Sequence, residues 1–77
     1  MLLEKEITEK LDKIEEICGG KNLGKMTGEK RKEALHIITS ANNFYGLLVQ
    51  QIGKSDSYVS LGERLKEISN TLLEYQS

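Results

Sequence analysis

The chain has 77 residues, no proline, one cysteine and a formal net charge of −1. A chain of this length forms one small domain, which buries only about 60% of the surface that its unfolded form exposes. The near-neutral charge provides no overall field for nucleic acid or an anionic membrane. A lone Cys18 and a lone His36 exclude a disulfide and a His/Cys zinc site within one chain.

Apolar residues recur at helical spacing throughout the chain, and charged residues, which make up 30% of it, fill the positions between them. This pattern predicts an all-α protein with a single domain over residues 1–77, built as a three-helix antiparallel bundle with a long central helix. A core this small is marginal alone, so we expect dimerisation or higher oligomerisation to complete the bundle.

The first helix is predicted over about residues 2–18. Its narrow apolar row consists of Ile7, Leu11, Ile14 and Cys18, and the thiol that ends this row is expected to be buried. Opposite charges four residues apart predict two ion pairs on the exposed side, Glu6 with Lys10 and Glu9 with Lys13. Gly19 follows the row directly, so we expect it to end the helix in a left-handed conformation.

Residues 19–27 form the predicted loop, which is rich in glycine and lysine. Leu23 and Met26 are the apolar residues of this loop, and we expect them to fold back over the end of the core. Thr27 is the predicted N-cap of the next helix, because its hydroxyl can accept a hydrogen bond from an otherwise unpaired amide.

The central helix is predicted over residues 28–52 and ends at Gly53. Two offset apolar rows widen its apolar face beyond the stripe of about 100° that a surface helix needs, so it should contact more than one helix. We expect part of this face to form the contact between chains, with these residues at the interface: Ile37, Ala41, Phe44, Tyr45, Leu48 and Ile52. Gly46 is interpreted as fitting a tight helix crossing.

The third helix is predicted over about residues 57–74, and its start is open between two alternatives. Ser60 and Glu63 match a capping box, which favours a start at Ser60. An apolar row that begins at Tyr58 and continues through Leu61 and Leu65 favours the earlier start, near Asp56 or Ser57.

Residues 19–25 read GGKNLGK, which matches the first part of a phosphate-binding P-loop. Met26 stands where the magnesium-binding Ser or Thr belongs, and the preceding segment is helical rather than a strand, so we reject a nucleotide hydrolase. Anion binding by this segment and the following helix start stays open beside the alternative of a solvated loop with ordinary lysines. Its candidate residues are Lys21, Gly24, Lys25, Thr27, Lys30 and Arg31.

The sequence offers no catalytic set: His36 has no carboxylate partner placed for acid–base work and is interpreted as a surface residue. We therefore expect a non-enzymatic helical protein–protein interaction module, a small regulator, inhibitor or adaptor that self-associates, without metal or cofactor. The alternative is an oligomer that binds or sequesters a phosphorylated small molecule or nucleotide. Nucleic acid is not expected, because the last helix is not basic. The lone thiol and the lack of a signal peptide or long apolar run predict a cytoplasmic protein that does not span a membrane.

Overall fold

The computed structural model describes residues 2–53 and 56–75, and in that part of the chain all regular structure is helical. Helix α1 spans Leu2–Ile17, α2 spans Gly28–Ile52 and α3 spans Asp56–Glu74. The all-α prediction is confirmed, and α2 has the predicted bounds. The longest dimension of the molecule is 38 Å, which is about the length of the 25 residues of α2 at 1.5 Å per residue. The central helix therefore sets the length of the molecule.

One hydrophobic core joins the three helices. Its centre consists of residues with no exposed surface on α1 and α2 and of residues that are nearly as buried on α3. The apolar residues that recur at helical spacing in the sequence are thus the ones that form the buried side of each helix. The buried residues are Ile7, Leu11, Ile14, Cys18, Leu23, Ala34, Ile38, Ala41, Leu48, Tyr58, Leu61, Leu65, Ile68 and Leu72.

Helix α2 lies between the other two, which make few contacts with each other. Near its start, the Arg31 Nε atom donates a 2.7 Å hydrogen bond to the Leu72 carbonyl near the end of α3. In its second half, the Tyr45 hydroxyl donates a 3.0 Å hydrogen bond to the Tyr58 carbonyl near the start of α3. Two side chains of α2 therefore tie both ends of α3 to the central helix.

The helix ends follow local sequence signals. The Thr27 hydroxyl accepts a 3.2 Å hydrogen bond from the Lys30 amide, which confirms the predicted N-cap of α2. At the other end, Gly53 has a φ of 80° and donates to the Val49 carbonyl at 2.8 Å. Gly19 has a φ of 90°, as expected for the residue that ends α1. Helix α1 ends one residue before the predicted Cys18.

Helix α3 starts at Asp56, so the earlier of the two predicted starts is correct. Tyr58 lies inside the helix and is only 8% exposed, in line with its place in the apolar row. Burial of this residue outweighs the capping signal at Ser60, because an N-cap contributes about 1 kcal/mol and an aromatic side chain in the core contributes more. In the loop between α1 and α2, Leu23 is buried and Met26 packs against the core, as predicted.

The close approach between helices lies at Gly62 on α3, and the interpretation of Gly46 as a crossing point is wrong. A Cβ atom on Gly62 would come within 2.5 Å of the Tyr45 hydroxyl oxygen and 2.9 Å of its Cζ atom. A Cβ atom on Gly46 would meet nothing within 4 Å, and this residue is exposed. Sequence spacing alone did not show that Gly46 points away from both neighbouring helices.

This difference predicts opposite effects of the same substitution at the two glycines. Gly46→Ala should raise the free energy of unfolding by about 0.5 to 1 kcal/mol, because alanine is the better helix former and nothing obstructs it. Gly62→Ala should lose the Tyr45 to Tyr58 hydrogen bond as the ring is displaced, so it should be destabilising by about 1 kcal/mol despite the same helical gain. Urea unfolding followed by circular dichroism measures both. A Gly62→Ala change in a Tyr45→Ala background should become stabilising.

Candidate functional site

Five of the nine amides in the glycine-rich loop, residues 19–27, donate hydrogen bonds within the protein. Lys25 donates to the Cys18 carbonyl at 2.8 Å, and Leu23 donates to the Gly20 carbonyl at 3.0 Å. The Gly24 amide donates to the Asn22 side-chain oxygen at 3.1 Å. A phosphate-binding loop works by directing unpaired amides at its ligand. The loop hydrogen bonds therefore support a structural role for this segment.

The six residues predicted for anion binding are not gathered at one site. Lys21 lines a cleft between α1 and α3, whereas Arg31 lines a different cleft at the start of α2. Arg31 also binds the Leu72 carbonyl, where a cation is favoured because it lies at the C-terminal end of a helix. The first carbons of the Lys25 side chain cover Gly19. Thr27 and Gly24 serve as cap and turn.

Five of the six residues predicted for an interface between chains divide into three groups. Ala41 and Leu48 have no exposed surface in the single chain, so neither can meet a partner unless the helices separate. Tyr45 is half-buried on the side of α2 that contacts α3. Ile37 and Phe44 are partly buried at the edge of the core and keep some surface. The side chain of Ile52 lies outside the described part of the structure.

Ile37 and Phe44 belong to an apolar surface that spans α1 and α2. Residues at spacings of three and four share one side of a helix, and this rule defines one row on each helix. The row on α1 consists of Leu3, Glu6, Lys10, Lys13 and Ile17, and the row on α2 consists of Ile37, Ser40, Phe44, Leu47 and Gln51. Together these rows form what we call the α1–α2 face. Leu47 is the most exposed apolar residue on it, at 46%.

The two rows lie side by side and away from α3. The Lys10 ammonium nitrogen lies 5.3 Å from the centre of the Phe44 ring, which joins the rows by a cation–π contact. Contacts with α3 come from the other edges of these helices, since Arg64 on α3 binds Asp12 and Glu15 of α1. No helix in the described part of the chain covers the α1–α2 face.

Neither predicted ion pair of α1 occurs among the described residues. The side chains of Lys5 and Glu9 instead approach to 4.0 Å, and both are well exposed, so this contact contributes little to stability. The Lys10 side chain instead lies over the Phe44 ring. Glu6 and Lys13 are exposed and make no ion pair within residues 2–53 and 56–75. Two opposite charges are thus left on the edge of the apolar face.

A polar contact that the sequence did not predict connects α1 with α3. One nitrogen of the Arg64 guanidinium lies 2.6 Å from a carboxylate oxygen of Asp12 and 2.8 Å from one of Glu15. Partial burial lowers the pKa of Arg64, but the bonds and charges of the two carboxylates outweigh it, so the net pKa is raised. Each of the three residues is adjacent in the chain to a buried apolar residue of its own helix. That adjacency was visible in the sequence, but the pairing of α1 with α3 was not.

Other apolar surface is less continuous. Val59 and Leu73 are 46% and 68% exposed, and both lie on the side of α3 that also carries Gly62 and Lys66. These two side chains stand about 21 Å apart along the helix, at 1.5 Å per residue. The α1–α2 face, with apolar residues on two adjacent helices, is the more extensive candidate for an interaction surface.

The thiol of Cys18 is fully buried at the end of α1. Burial raises its pKa above the ordinary value of 9.0, while the Lys30 charge lowers the pKa and the Glu33 charge raises it. The thiol is therefore held in its protonated form, which is the less reactive one. A cytoplasmic location, expected from this lone cysteine, stays a prediction.

The raised pKa predicts a loss of stability in mild alkali. Because the unfolded chain ionises Cys18 at lower pH than the folded chain does, the contribution of the thiol is complete below pH 9.0 and is lost as the pH rises through the folded-state pKa. Urea unfolding at about pH 8 and pH 10 should show a larger fall in the free energy of unfolding for the parent protein than for Cys18→Ala, by at most about 1.4 kcal/mol per pH unit. Identical falls in both proteins would contradict this.

Within residues 2–53 and 56–75, His, Cys, Asp and Glu side chains do not gather in any group of three that could hold a metal ion. The helices of the described chain include none with the length and hydrophobicity that crossing a membrane requires. Comparison with protein-family models, with curated proteins and with solved structures found no match for this chain.

Proposed function

We propose that this chain is a non-enzymatic helical protein–protein interaction module, a small regulator, inhibitor or adaptor that self-associates. In this proposal each chain forms one antiparallel three-helix bundle. The α1–α2 face is the observation that carries this proposal. It combines Ile37, Phe44 and Leu47 on α2 with Leu3 and Ile17 on α1, and α3 lies on the other side of both helices. Contiguous apolar surface with a polar rim marks sites of protein association.

The chemistry of the α1–α2 face suits a protein partner. A partly exposed aromatic ring at its centre provides a large apolar area that is held in place by the core beneath it. Glu6, Lys13, Ser40 and Gln51 surround the apolar residues and supply a polar rim. Burying the face would also enlarge the core of a chain that is small for independent folding.

The antiparallel arrangement is supported by contacts at both ends of α3. Arg31, in the first turn of α2, meets Leu72 near the end of α3, and Tyr45, in the second half of α2, meets Tyr58 near the start of α3. On the other side of α2, Lys10 of α1 lies over the Phe44 ring. Only three residues separate α2 from α3, and so short a connection favours antiparallel neighbours.

The alternative, an oligomer that binds or sequesters a phosphorylated small molecule or nucleotide, has weaker support. Five of the nine loop amides that could hold a phosphate are bonded to protein groups, and Arg31 is bonded to the Leu72 carbonyl. Thermal unfolding with nucleotides and inorganic phosphate tests this alternative. A rise of several degrees in Tm that is lost in Lys25→Ala would favour it over the interaction module.

Light scattering after size exclusion tests the proposed function directly. The single chain has a mass of 8.7 kDa. We expect the mass of the parent protein to rise above this value with concentration, and the mass of Phe44→Glu to stay at it, because a charge at the centre of an apolar interface is strongly unfavourable. Leu73→Glu is the matched control, since Leu73 is exposed on α3 and outside the α1–α2 face. A parent protein that stays at 8.7 kDa at every concentration up to about 1 mM would exclude self-association.

A further inference from the structure

We propose that the α1–α2 face binds a second copy of this chain, placed by a two-fold axis that runs across the helices near Lys10 and Phe44. In this dimer, α1 of one chain lies antiparallel to α1 of the other, and the two Phe44 rings meet close to the axis. This inference rests on the proposed function, because it names the partner of the surface that carries that function. It adds to the proposed function the direction in which the two α1 helices pair and the charged residues that determine this direction.

The charge pattern of α1 determines the direction. Glu6 and Lys13 lie on the outer edge of the face, seven residues or about 10.5 Å apart, and both are exposed. An antiparallel two-fold centred between residues 9 and 10 places Glu6 of each chain beside Lys13 of the other. The pair forms twice in one dimer. Parallel pairing of the same two helices would bring like charges together, which is unfavourable.

The remaining residues of the α1 row fit the same axis. Leu3 and Ile17 lie at the two ends of the row, both partly buried against the core, and antiparallel pairing places each opposite the other. Lys10 lies at the centre, where its ammonium group already contacts the Phe44 ring at 5.3 Å from the centroid. The row therefore reads apolar, acidic, basic, basic, apolar. A two-fold at its centre pairs the apolar ends with each other and Glu6 with Lys13, and it leaves the two Lys10 side chains next to each other, each over the Phe44 ring of its own chain.

The size of the face sets the strength of the dimer. The row from Leu3 to Ile17 is about 21 Å long at 1.5 Å per residue. Two adjacent helices are about 20 Å wide, so the footprint is roughly 400 Å² on each chain, half of the about 800 Å² per partner of a standard interface. The dimer is therefore a weak one, with a dissociation constant in the micromolar range or above.

Charge reversal tests the proposed direction. Sedimentation equilibrium over about 10 µM to 1 mM gives the dimer dissociation constant of each variant. Glu6→Lys places two lysines side by side at both symmetric contacts, and we expect a dissociation constant at least about tenfold higher than that of the parent protein. The double variant Glu6→Lys with Lys13→Glu restores opposite charges at both contacts, so it should dimerise as the parent protein does. Circular dichroism verifies that each variant is folded.

Glu16→Lys is the matched control, because it makes the same charge change on an exposed residue of α1 that lies outside the row. It should leave the dissociation constant within about twofold of the parent value. Failure of the double variant to recover would overturn the two-fold arrangement. So would equal dissociation constants for Glu6→Lys and the parent protein.

These results also separate this inference from the proposed function. A parent dimer that is lost in Phe44→Glu but unaffected by Glu6→Lys keeps the α1–α2 face as an interaction surface and excludes the antiparallel arrangement. A dimer indifferent to Phe44→Glu excludes the face itself. A parent protein that is monomeric throughout excludes a second copy as the occupant, together with the self-association in the proposed function.

Discussion

Replacing Leu72 with alanine is expected to lower the free energy of unfolding by about 3 kcal/mol, within the usual range for a buried leucine. The Leu72 side chain has no exposed surface, and it lies beside the other buried residues of α3 and the core of α2. Part of the loss is apolar surface returned to water, and part is the cavity left in a close-packed interior. A domain of this size has about 5 kcal/mol of stability in total, so about 2 kcal/mol would remain and a few per cent of the variant should be unfolded at 37 °C.

The neighbouring leucine supplies the control. Leu73 is 68% exposed, so Leu73→Ala removes little buried surface and should change the free energy of unfolding by less than about 0.5 kcal/mol. Urea unfolding followed by circular dichroism measures both variants under one set of conditions. Equal losses at the two positions would mean that α3 is rotated so that Leu72 and Leu73 are buried to the same extent.

The second large effect is expected for Gly19→Ala, at about 3 kcal/mol. Gly19 has a φ of 90°, a conformation that costs an alanine about 1 to 2 kcal/mol. Its new Cβ atom would also lie 2.5 Å from the Cβ atom of Lys25. That carbon cannot move away freely, because the Lys25 amide is bonded to the Cys18 carbonyl at 2.8 Å. The loop would have to shift from the end of α1.

Gly53→Ala isolates the conformational part of this cost. Gly53 has a φ of 80°, but a Cβ atom there would meet nothing within 4 Å. We therefore expect a loss of about 1 to 2 kcal/mol, from backbone strain alone. Thermal and urea unfolding give the free energy of unfolding of both variants. The difference between their losses measures the cost of the contact with Lys25. If Gly53→Ala proved as costly as Gly19→Ala, this contact would contribute nothing.

The fold was predictable where local chemistry decides it. Thr27 and Gly53 mark the ends of α2, because the Thr27 hydroxyl accepts from the Lys30 amide and the Gly53 amide donates to the Val49 carbonyl. The start of α3 was ambiguous since two local signals competed, and burial of Tyr58 decided between them. Burial depends on residues far away in the chain, which explains why a local pattern left the start open.

The candidate site was less predictable, because its residues are defined by which helices meet. Ile37 and Phe44 were predicted at an interface between chains and keep some exposure, whereas Ala41 and Leu48 from the same predicted set are fully buried. A row on a helix can be recognised in the sequence, but its exposure depends on how the neighbouring helix is placed. The partners of Arg31 and Arg64 depend on the same placement, so neither could be assigned from spacing.

The central position of α2 has a consequence for folding kinetics. Because α1 and α3 contact α2 far more than each other, the contacts between helices join elements that follow one another in the chain. Such a low contact order is typical of proteins that fold in microseconds to milliseconds. Either outer helix can dock on α2 without waiting for the other, so the chain has two short routes to the same structure. Refolding is therefore expected to be fast, and with no proline in the chain it lacks a slow prolyl isomerisation phase.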